Sequence, residues 1–181
     1  QGRLRIACMP AAANYLMPRL VADFVRDKPK VNVSMMMRAS SVIEGWVTSQ
    51  QYDVGLAETP PPNRALTAQT FELQCVCALR KDDELAKKEF LTPQDLSDSP
   101  LATLEPALKL VEEGLCYCIC DPMTASGYLD RFDDNAKLTF RRFTPDIILS
   151  VSVLTPAHRP ASVLASRFTS ILAEEIERMN E

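Results

Sequence analysis

The sequence predicts an α/β fold in which strands alternate with helices and the first sheet is parallel. Helix, strand and loop patterns follow one another along all 181 residues, of which 46% are hydrophobic and 24% are charged. A chain of this length and composition can bury one core or the cores of two small lobes. Between residues 3 and 58, strand, helix, strand, helix and strand follow at the pitch of a parallel sheet with right-handed crossovers.

The first strand and helix are predicted from their side-chain periodicity. Residues 3–9 alternate polar and apolar side chains, which is typical of a strand. The loop 10–14 follows, and Asn14 at its end is a residue type that often caps a helix N-terminus. Apolar side chains then recur at helical spacing over residues 16–25, which predicts an amphipathic helix.

The next strand and helix lead to a short buried strand. Residues 31–37 are rich in apolar side chains, and we interpret the methionine run 35–37 as strand core, although one of these side chains could touch a ligand at the strand end. Ser40 and Ser41 are expected to cap the second helix. The third strand covers residues 53–58, and a run of prolines after it breaks the pattern sharply.

The second half of the chain contains shorter elements and a long final helix. From their patterning we expect extended chain at 66–80, a helical turn at 92–96, strands at 100–104, 115–120 and 147–154, and helices at 107–113 and 161–179. Gly114 stands where a helix C′ residue is expected.

Composition excludes several classes of protein. The net charge of −4 disfavours a nucleic-acid surface, because phosphate binding needs clustered lysine and arginine. No apolar run approaches the roughly 20 residues that a membrane helix requires. No signal-peptide pattern precedes the first strand, so we expect a cytoplasmic protein.

The cysteines also suit a reducing compartment, because they lie almost entirely inside apolar runs. They are Cys8, Cys75, Cys77, Cys116, Cys118 and Cys120. The period-two run at 116–120 could present three thiols on one strand face, but zinc sites usually have C-x₂₋₄-C spacing and a fourth ligand. We therefore favour a core strand face over a metal site. The only histidine, His158, lies in a polar turn, which leaves little basis for a thiol enzyme.

Several loose motifs, in order along nearly the whole chain, point to a known family. They are Gly2-Arg3-Leu4-Arg5-Ile6-Ala7, Leu16-Met17-Pro18-Arg19-Leu20 with Phe24, Tyr52-Asp53-Val54-Gly55-Leu56-Ala57, Leu91-Thr92-Pro93-Gln94-Asp95-Leu96, and Leu110-Val111-Glu112-Glu113-Gly114-Leu115. In this respect the chain resembles the effector-binding domain of LysR-type transcription regulators. The segments 44–49 and 120–125 are most similar to the opine-responsive branch, the nopaline and octopine catabolism regulators of agrobacteria.

The resemblance implies a type 2 periplasmic-binding-protein-like fold, with two α/β subdomains joined by crossover strands and the effector in the cleft between them. Subdomain I would comprise about 1–72 and 150–181, and subdomain II about 80–146. A DNA-binding winged helix-turn-helix would normally precede the domain. The family's homodimer or tetramer would use subdomain I, here the helix 16–25.

One departure from the family pattern lies after Pro106, where the chain runs directly into the helix 107–113. Relatives usually place a helix, a loop and a strand before that helix. The gap is about one βα step, on the order of 30 residues if a βαβ unit is the yardstick. Cys116 also stands where the family usually has glycine. We expect subdomain II to lack this segment, either deleted or omitted.

The first candidate ligand-binding residues follow from the ends of the parallel strands. In open α/β sheets, ligands bind beyond the carboxyl ends of strands, near helix N-termini that suit a carboxylate. Pro10, Ala11 and Ala12 occupy one such loop, and Ser40 and Ser41 occupy another. A serine hydroxyl could bind the same anion, or one of the two serines could be only a helix cap.

The other candidates are acidic and hydroxyl residues beyond the strand ends. Glu58 is a natural partner for an ammonium or guanidinium group, or else a solvated carboxylate before the proline loop. Thr59 follows it. Thr103 and Glu105 would line the opposite wall. An opine carries several carboxylates, and in nopaline and octopine an arginine-derived guanidinium, so both kinds of group would find partners.

The predicted function is therefore sensing of an anionic amino-acid derivative that controls a catabolic operon, without cofactor or catalytic residues. Activation by the effector and relief of repression stay open alternatives. A solute-binding protein that delivers its ligand to a transporter would use the same fold, and the missing signal peptide and the cysteines disfavour it.

Overall fold

The computed structural model describes residues 2–103 and 105–180, apart from the side chain of Glu105. The chain forms two compact units. The first unit comprises Gln1–Glu72 and Ser150–Glu181, and the second unit comprises Leu73–Leu149. The chain thus leaves the first unit once and returns to it once.

The strands of the described residues are short and fall into two sheets. In chain order they are β1 (Gly2–Cys8), β2 (Val31–Met37), β3 (Val54–Glu58), β4 (Leu66–Gln74), β5 (Val76–Arg80), β6 (Phe90–Leu91), β7 (Leu101–Ala102), β8 (Tyr117–Cys120), β9 (Leu138–Phe143) and β10 (Ile148–Pro156).

The α-helices are α1 (Pro10–Ala13), α2 (Leu16–Val25), α3 (Ser40–Thr48), α4 (Leu108–Glu112), α5 (Pro122–Phe132) and α6 (Val163–Arg178). Shorter 3₁₀ turns lie at Glu84–Lys87, Pro93–Leu96, Glu105–Ala107 and Asp133–Asn135. Within the described residues, no helix is both long enough and apolar enough to cross a membrane.

The sheet of the first unit has the strand order β2-β1-β3-β10-β4. β1 pairs in parallel with both β2 and β3, which confirms the predicted parallel arrangement. The returning strand β10 pairs antiparallel with β3. Helices α2 and α6 contact each other through Phe24 and Phe168, whose rings meet edge to face at 5.4 Å.

Three expectations for the first unit are wrong. The predicted loop 10–14 contains the helical turn α1, because Pro10 at its first position presets a helical φ. The N-cap residue of α2 is Tyr15 rather than Asn14. The methionine run is not strand core, since Met35 and Met37 are 36% and 49% exposed. β2 is an edge strand, so less of the fold covers it.

The sheet of the second unit has the order β6-β9-β5-β8-β7. β5 runs antiparallel to both β8 and β9, whereas β6 and β7 pair in parallel with their neighbours. β7 has two residues and forms one edge of the sheet. This sheet is therefore mixed, with its longest pairing at the centre.

The cysteines of the second unit lie in its hydrophobic clusters. Cys118 and Cys120 belong to one cluster with Leu138 and Tyr128, and Cys75 and Cys77 belong to another. All four are buried, and the interpretation as strand core is confirmed for Cys77, Cys118 and Cys120, whereas Cys75 lies between β4 and β5. Cys116 precedes β8, is only half-buried, and packs against the first cluster.

A local sequence signal is accurate at the end of α4 in the second unit. Gly114 has a φ of +73°, and the N–H groups of Gly114 and Leu115 donate to the carbonyls of Val111 and Leu110 at 2.9 and 3.0 Å. This pattern ends α4 in a Schellman motif, as the glycine predicts. The expected extended chain 66–80 forms two strands, β4 and β5, which are separated at Cys75, whose N–H donates to the carbonyl of Ile147.

Candidate functional site

The ends of β1 and β3 and the start of α3 meet at one edge of the first sheet. The N–H of Met9, just past β1, donates to the carbonyl of Leu56 in β3 at 2.9 Å. The N–H of Arg38, just past β2, donates to the carbonyl of Cys8 at 3.1 Å. These bonds hold the three carboxyl ends of the parallel strands together, where α/β folds bind ligands.

The residues predicted in the first loop differ in their access to solvent. Pro10 is exposed and Ala11 is half-buried, whereas Ala12 is fully buried. The N–H of Ala12 donates to the carbonyl of Met9 at 3.1 Å. The accessible part of this loop is therefore the first half of α1.

The expectation that Ser40 or Ser41 caps α3 is wrong. The N-cap residue is Ala39, and its carbonyl accepts from the N–H groups of Val42 and Ile43 at 3.0 and 3.1 Å. Both serines lie inside the first helical turn, where backbone N–H groups have no partner within the helix. They are free of the capping role.

Ser40 links the start of α3 to the end of β3. Its Oγ accepts a hydrogen bond from the N–H of Glu58 at 3.0 Å. A hydroxyl that accepts in this way keeps its own proton for another partner. Ser41, beside it, is exposed. The first turn of α3 contains no acidic residue, so the partial positive charge of the helix N-terminus is not offset there.

The backbone of Glu58 lies next to this turn, because its N–H donates to Ser40 Oγ. The residue is exposed, and no hydrogen bond or ion pair within the described residues engages its carboxylate. The site thus combines N–H and hydroxyl donors with a carboxylate acceptor. A ligand that carries both an anionic and a cationic group would match this arrangement.

Thr59 belongs to a group of hydroxyls that sequence reasoning missed. Its Oγ1 lies 2.8 Å from Ser150 Oγ and 2.9 Å from Ser152 Oγ, and Ser152 in turn contacts Thr70. Ser150 and Ser152 are about ninety residues away in sequence and lie on β10. The alternation of serine and valine in this strand is the one signal that could have suggested them.

Thr103 and Glu105 belong to the second unit. Thr103 is exposed and lies one residue beyond β7. Glu105 begins a 3₁₀ turn, and its side chain lies outside the described residues. Their role in ligand binding stays a prediction.

Two cavities within the units lie away from the predicted residues. A groove of about 460 Å³ is lined by Gly2, Arg3, Asn32, Val33 and Ser34, near the starts of β1 and β2. A second cavity, of about 130 Å³, lies in the second unit beside Gly114 and the start of β8. The candidate site is therefore defined by its hydrogen-bonding groups and its charge rather than by either cavity.

Four of the six thiols, those of Cys8, Cys75, Cys77 and Cys116, are poorly suited to nucleophilic chemistry. Burial raises the pKa of Cys8 to about 11 and the pKa of Cys77 to about 12. Burial also raises the pKa of Cys75 and of the half-buried Cys116. Reactive cysteines require the opposite shift, toward the thiolate. Across the described residues, no three or more His, Cys, Asp or Glu side chains are grouped so as to hold a metal ion.

Comparison with known families gives a match over more than half of the chain. The model of the family described as LysR substrate binding domain matches residues 1–108. The transcriptional activator protein LysR of Escherichia coli K12 is 27% identical, over 99% of this chain and 66% of its own length. The octopine catabolism/uptake operon regulatory protein OccR of Rhizobium meliloti is 38% identical, over 52% of this chain and 31% of its own length. The chain thus spans two thirds or less of these relatives.

Solved structures agree on the fold. The CcmR regulatory domain of Synechocystis PCC6803, determined in complex with 2-PG, superposes with a TM-score of 0.76 at 21% identity and covers 99% of both chains. This similarity confirms the type 2 periplasmic-binding-protein-like fold that the sequence predicts.

Proposed function

Because this chain belongs to the LysR substrate binding domain family, we propose that it is the effector-sensing domain of a bacterial transcription regulator. The effector that we infer is a small anionic amino-acid derivative, such as octopine or nopaline. The observation that carries this proposal is the position of Glu58 beside the α3 N-terminus: its N–H donates to Ser40 Oγ, and its carboxylate has no partner within the described residues. A relative named for octopine catabolism, 38% identical over 94 residues, supports the opine class.

The two kinds of group would divide the ligand between them. A ligand carboxylate would accept from the first backbone N–H groups of α3 and from the hydroxyls of Ser40 and Ser41. A guanidinium or ammonium group would pair with Glu58. Pro10, Ala11 and Thr59 would complete the surroundings of the ligand. Charge-assisted hydrogen bonds of this kind contribute about 1.5–3 kcal/mol each.

The regulatory output would require parts of the protein beyond this domain. We infer that DNA is bound by a separate winged helix-turn-helix and that ligand binding changes the arrangement of a homodimer or tetramer. The ligand-dependent step would then be a shift between two arrangements of the assembly, with no chemical change of the ligand.

Thermal unfolding in the presence of candidate ligands tests the proposal. The ligands are nopaline, octopine, arginine, lysine and succinate, each at a series of concentrations. A ligand present at a hundred times its Kd stabilises the folded state by about 2.7 kcal/mol, which for a domain of this size raises Tm by about 5–10 °C. No stabilisation by any of these ligands would contradict the proposed site.

Two variants separate the anionic and cationic halves of the site. We expect Glu58→Gln to weaken octopine binding about tenfold and to leave succinate binding nearly unchanged, because only octopine carries a guanidinium. Ser41→Ala should weaken both. Glu174→Gln, an exposed change on α6, is the matched control. Equal weakening of octopine and succinate by Glu58→Gln would refute its assigned partner.

A further inference from the structure

Four hydroxyl groups form a continuous hydrogen-bonded row beside the candidate site. Ser150 Oγ lies 2.8 Å from Thr59 Oγ1, Thr59 Oγ1 lies 2.9 Å from Ser152 Oγ, and Ser152 Oγ lies 2.9 Å from Thr70 Oγ1. The row crosses the first sheet from the end of β3 through β10 to β4. All four residues belong to the first unit.

The burial of this row is graded. Ser152, in the middle, is fully buried, whereas Thr59 and Thr70 are exposed and Ser150 is half-buried. A buried hydroxyl must find its partners inside the protein. Ser152 finds them in the two threonines, so its orientation is set by the row and not by solvent.

Counting protons gives the row a direction. Each hydroxyl has one proton to donate. The geometry at the central contact makes Ser152 the donor and Thr59 the acceptor. Since its proton is used there, the contact between Ser152 and Thr70 requires Thr70 to donate. Thr59 and Ser150 then share one contact and hold two protons between them, so one proton stays available at this end.

We propose that Thr59 and Ser150 form a hydrogen-bond donor for a carboxylate of the ligand, and that Ser152 is the positioning residue that fixes the direction of this donor. The inference rests on the proposed function and adds residues to the same site. The donor lies one residue beyond Glu58, whose N–H is held by Ser40 at the start of α3. Hydrogen bonds in a row polarise one another, which strengthens the bond at its end.

The test compares a carboxylate ligand with its uncharged carboxamide. The probes are octopine and L-arginine, and each is compared with the derivative in which a carboxylate is replaced by a carboxamide. The Kd of each probe is measured by titration calorimetry on the whole chain. A donor aimed at the ligand favours the carboxylate, because hydrogen bonds to ionised acceptors are stronger. The quantity of interest is the ratio of the carboxamide Kd to the carboxylate Kd.

The variants separate direct contact from positioning. We expect the double variant Thr59→Val/Ser150→Ala to lower the ratio by about tenfold, because either hydroxyl alone would still keep one proton for the ligand. Ser152→Ala, whose side chain touches no ligand, should lower the ratio by about threefold. Ser150→Thr keeps both hydroxyls of the donor and should leave the ratio unchanged. Thr67→Val, on the same strand as Thr70 and outside the row, is the control and should leave the ratio unchanged.

The outcomes distinguish the inference from the proposed function. If no probe binds, both are overturned. If the carboxylates bind and the ratio is the same in Thr59→Val/Ser150→Ala and Ser152→Ala as in the unchanged chain, the proposed function stands and the donor row is overturned. A purely structural effect of Ser152→Ala would weaken acid and amide equally, and that result also counts against the inference.

Discussion

Replacing Asp53 with asparagine would remove the charge from a carboxylate that two arginines of the first unit share. Asp53 Oδ2 accepts from the backbone N–H of Arg5 at 2.8 Å and from its Nε at 3.2 Å. Oδ1 accepts from the terminal nitrogen of Arg5 at 2.9 Å and also from Arg159. The Asp53 side chain is only 12% exposed, whereas those of Arg5 and Arg159 are 26% and 37% exposed.

The expected loss follows from these contacts. An amide keeps one acceptor oxygen but turns an NH₂ group toward arginine donors, so charge-assisted bonds become weaker or are lost. Such bonds contribute about 1.5–3 kcal/mol each, and neutral ones about 0.5–1.5. Because the arginine heads are partly in solvent, which screens the pairs, we expect Asp53→Asn to lower the free energy of unfolding by about 2–3 kcal/mol.

The loss should depend on pH. Burial works to raise the pKa of Asp53, but the hydrogen bonds from Arg5 and Arg159 outweigh it and hold the pKa below its usual value. A lowered pKa means that the carboxylate stabilises the fold above the unfolded value of about 3.9. This contribution disappears as the pH falls through the lower, folded value. The difference between Asp53 and its asparagine variant should therefore be constant near neutrality and shrink below about pH 4.

Urea unfolding followed by tryptophan fluorescence measures this difference in the free energy of unfolding, because the fluorophore lies in the first unit, as Asp53 does. Trp46 is the only tryptophan, and its ring stacks on Tyr52, beside Asp53, at 4.7 Å. With a slope of about 2 kcal/mol per molar urea, the midpoint should fall by about 1 M at pH 7. Asp27→Asn, an exposed change, is the control. A shift below about 0.3 M, or one that persists unchanged at pH 3, would refute the reasoning.

Two further predictions concern packing and thiols. Gly55→Ala should lower the free energy of unfolding by about 1–3 kcal/mol, because the added Cβ would lie 2.8 and 2.9 Å from stiff methyl groups of Ile43 and Val47 on α3. Gly45→Ala has open space around the added Cβ and should be neutral or slightly stabilising. Urea titration of both variants measures the two effects. Iodoacetamide at pH 7 should leave Cys77 unlabelled in the folded chain, because burial raises its pKa to about 12. Mass spectrometry before and after urea treatment measures this, and rapid labelling of the native chain would contradict it.

The first unit could be predicted well because its elements have clean periodicity. The strand and helix patterns of β1, β2, β3 and α3 gave the parallel sheet, and the edge that holds the candidate site follows from the order of these strands. The hydroxyl row could not be predicted, since Thr59 and Ser152 are 93 residues apart and no local pattern links them. Strand ends can be predicted from local periodicity, whereas side-chain partners on other strands of the sheet cannot.

The second unit is harder to predict, and α5 and β9 are among the elements that its local patterns do not indicate. Pro122 follows β8 closely and occupies the first turn of α5, where Asp121 caps the helix by accepting from the N–H of Thr124 at 3.0 Å. β9 was obscured by two adjacent arginines. Arg141 is half-buried because it donates to the carbonyl of Ala86, 55 residues away. A long-range contact of this kind leaves no periodic signal.

The segment predicted to be missing after Pro106 stays a prediction. Three observations support it. The family match ends at residue 108, and the alignment with the E. coli activator extends over 210 residues, although this chain has 181. In the first sheet, β1 pairs in parallel with β3 on one side and has β2 on its other side. In the second sheet, β7 pairs in parallel with β8 in the same way, but its other side is the edge of the sheet. A lost strand would leave β7 in this position.

The double passage of the chain between the units has a consequence for biosynthesis. The first unit needs β10, which pairs with β3, and α6, whose Phe168 is fully buried. Both are synthesised only after the whole second unit, Leu73–Leu149. The ribosome therefore releases a complete second unit while the first still lacks a central strand and a core helix. The apolar face around Phe24 stays uncovered until α6 has been synthesised. During this interval the nascent protein is most prone to aggregation.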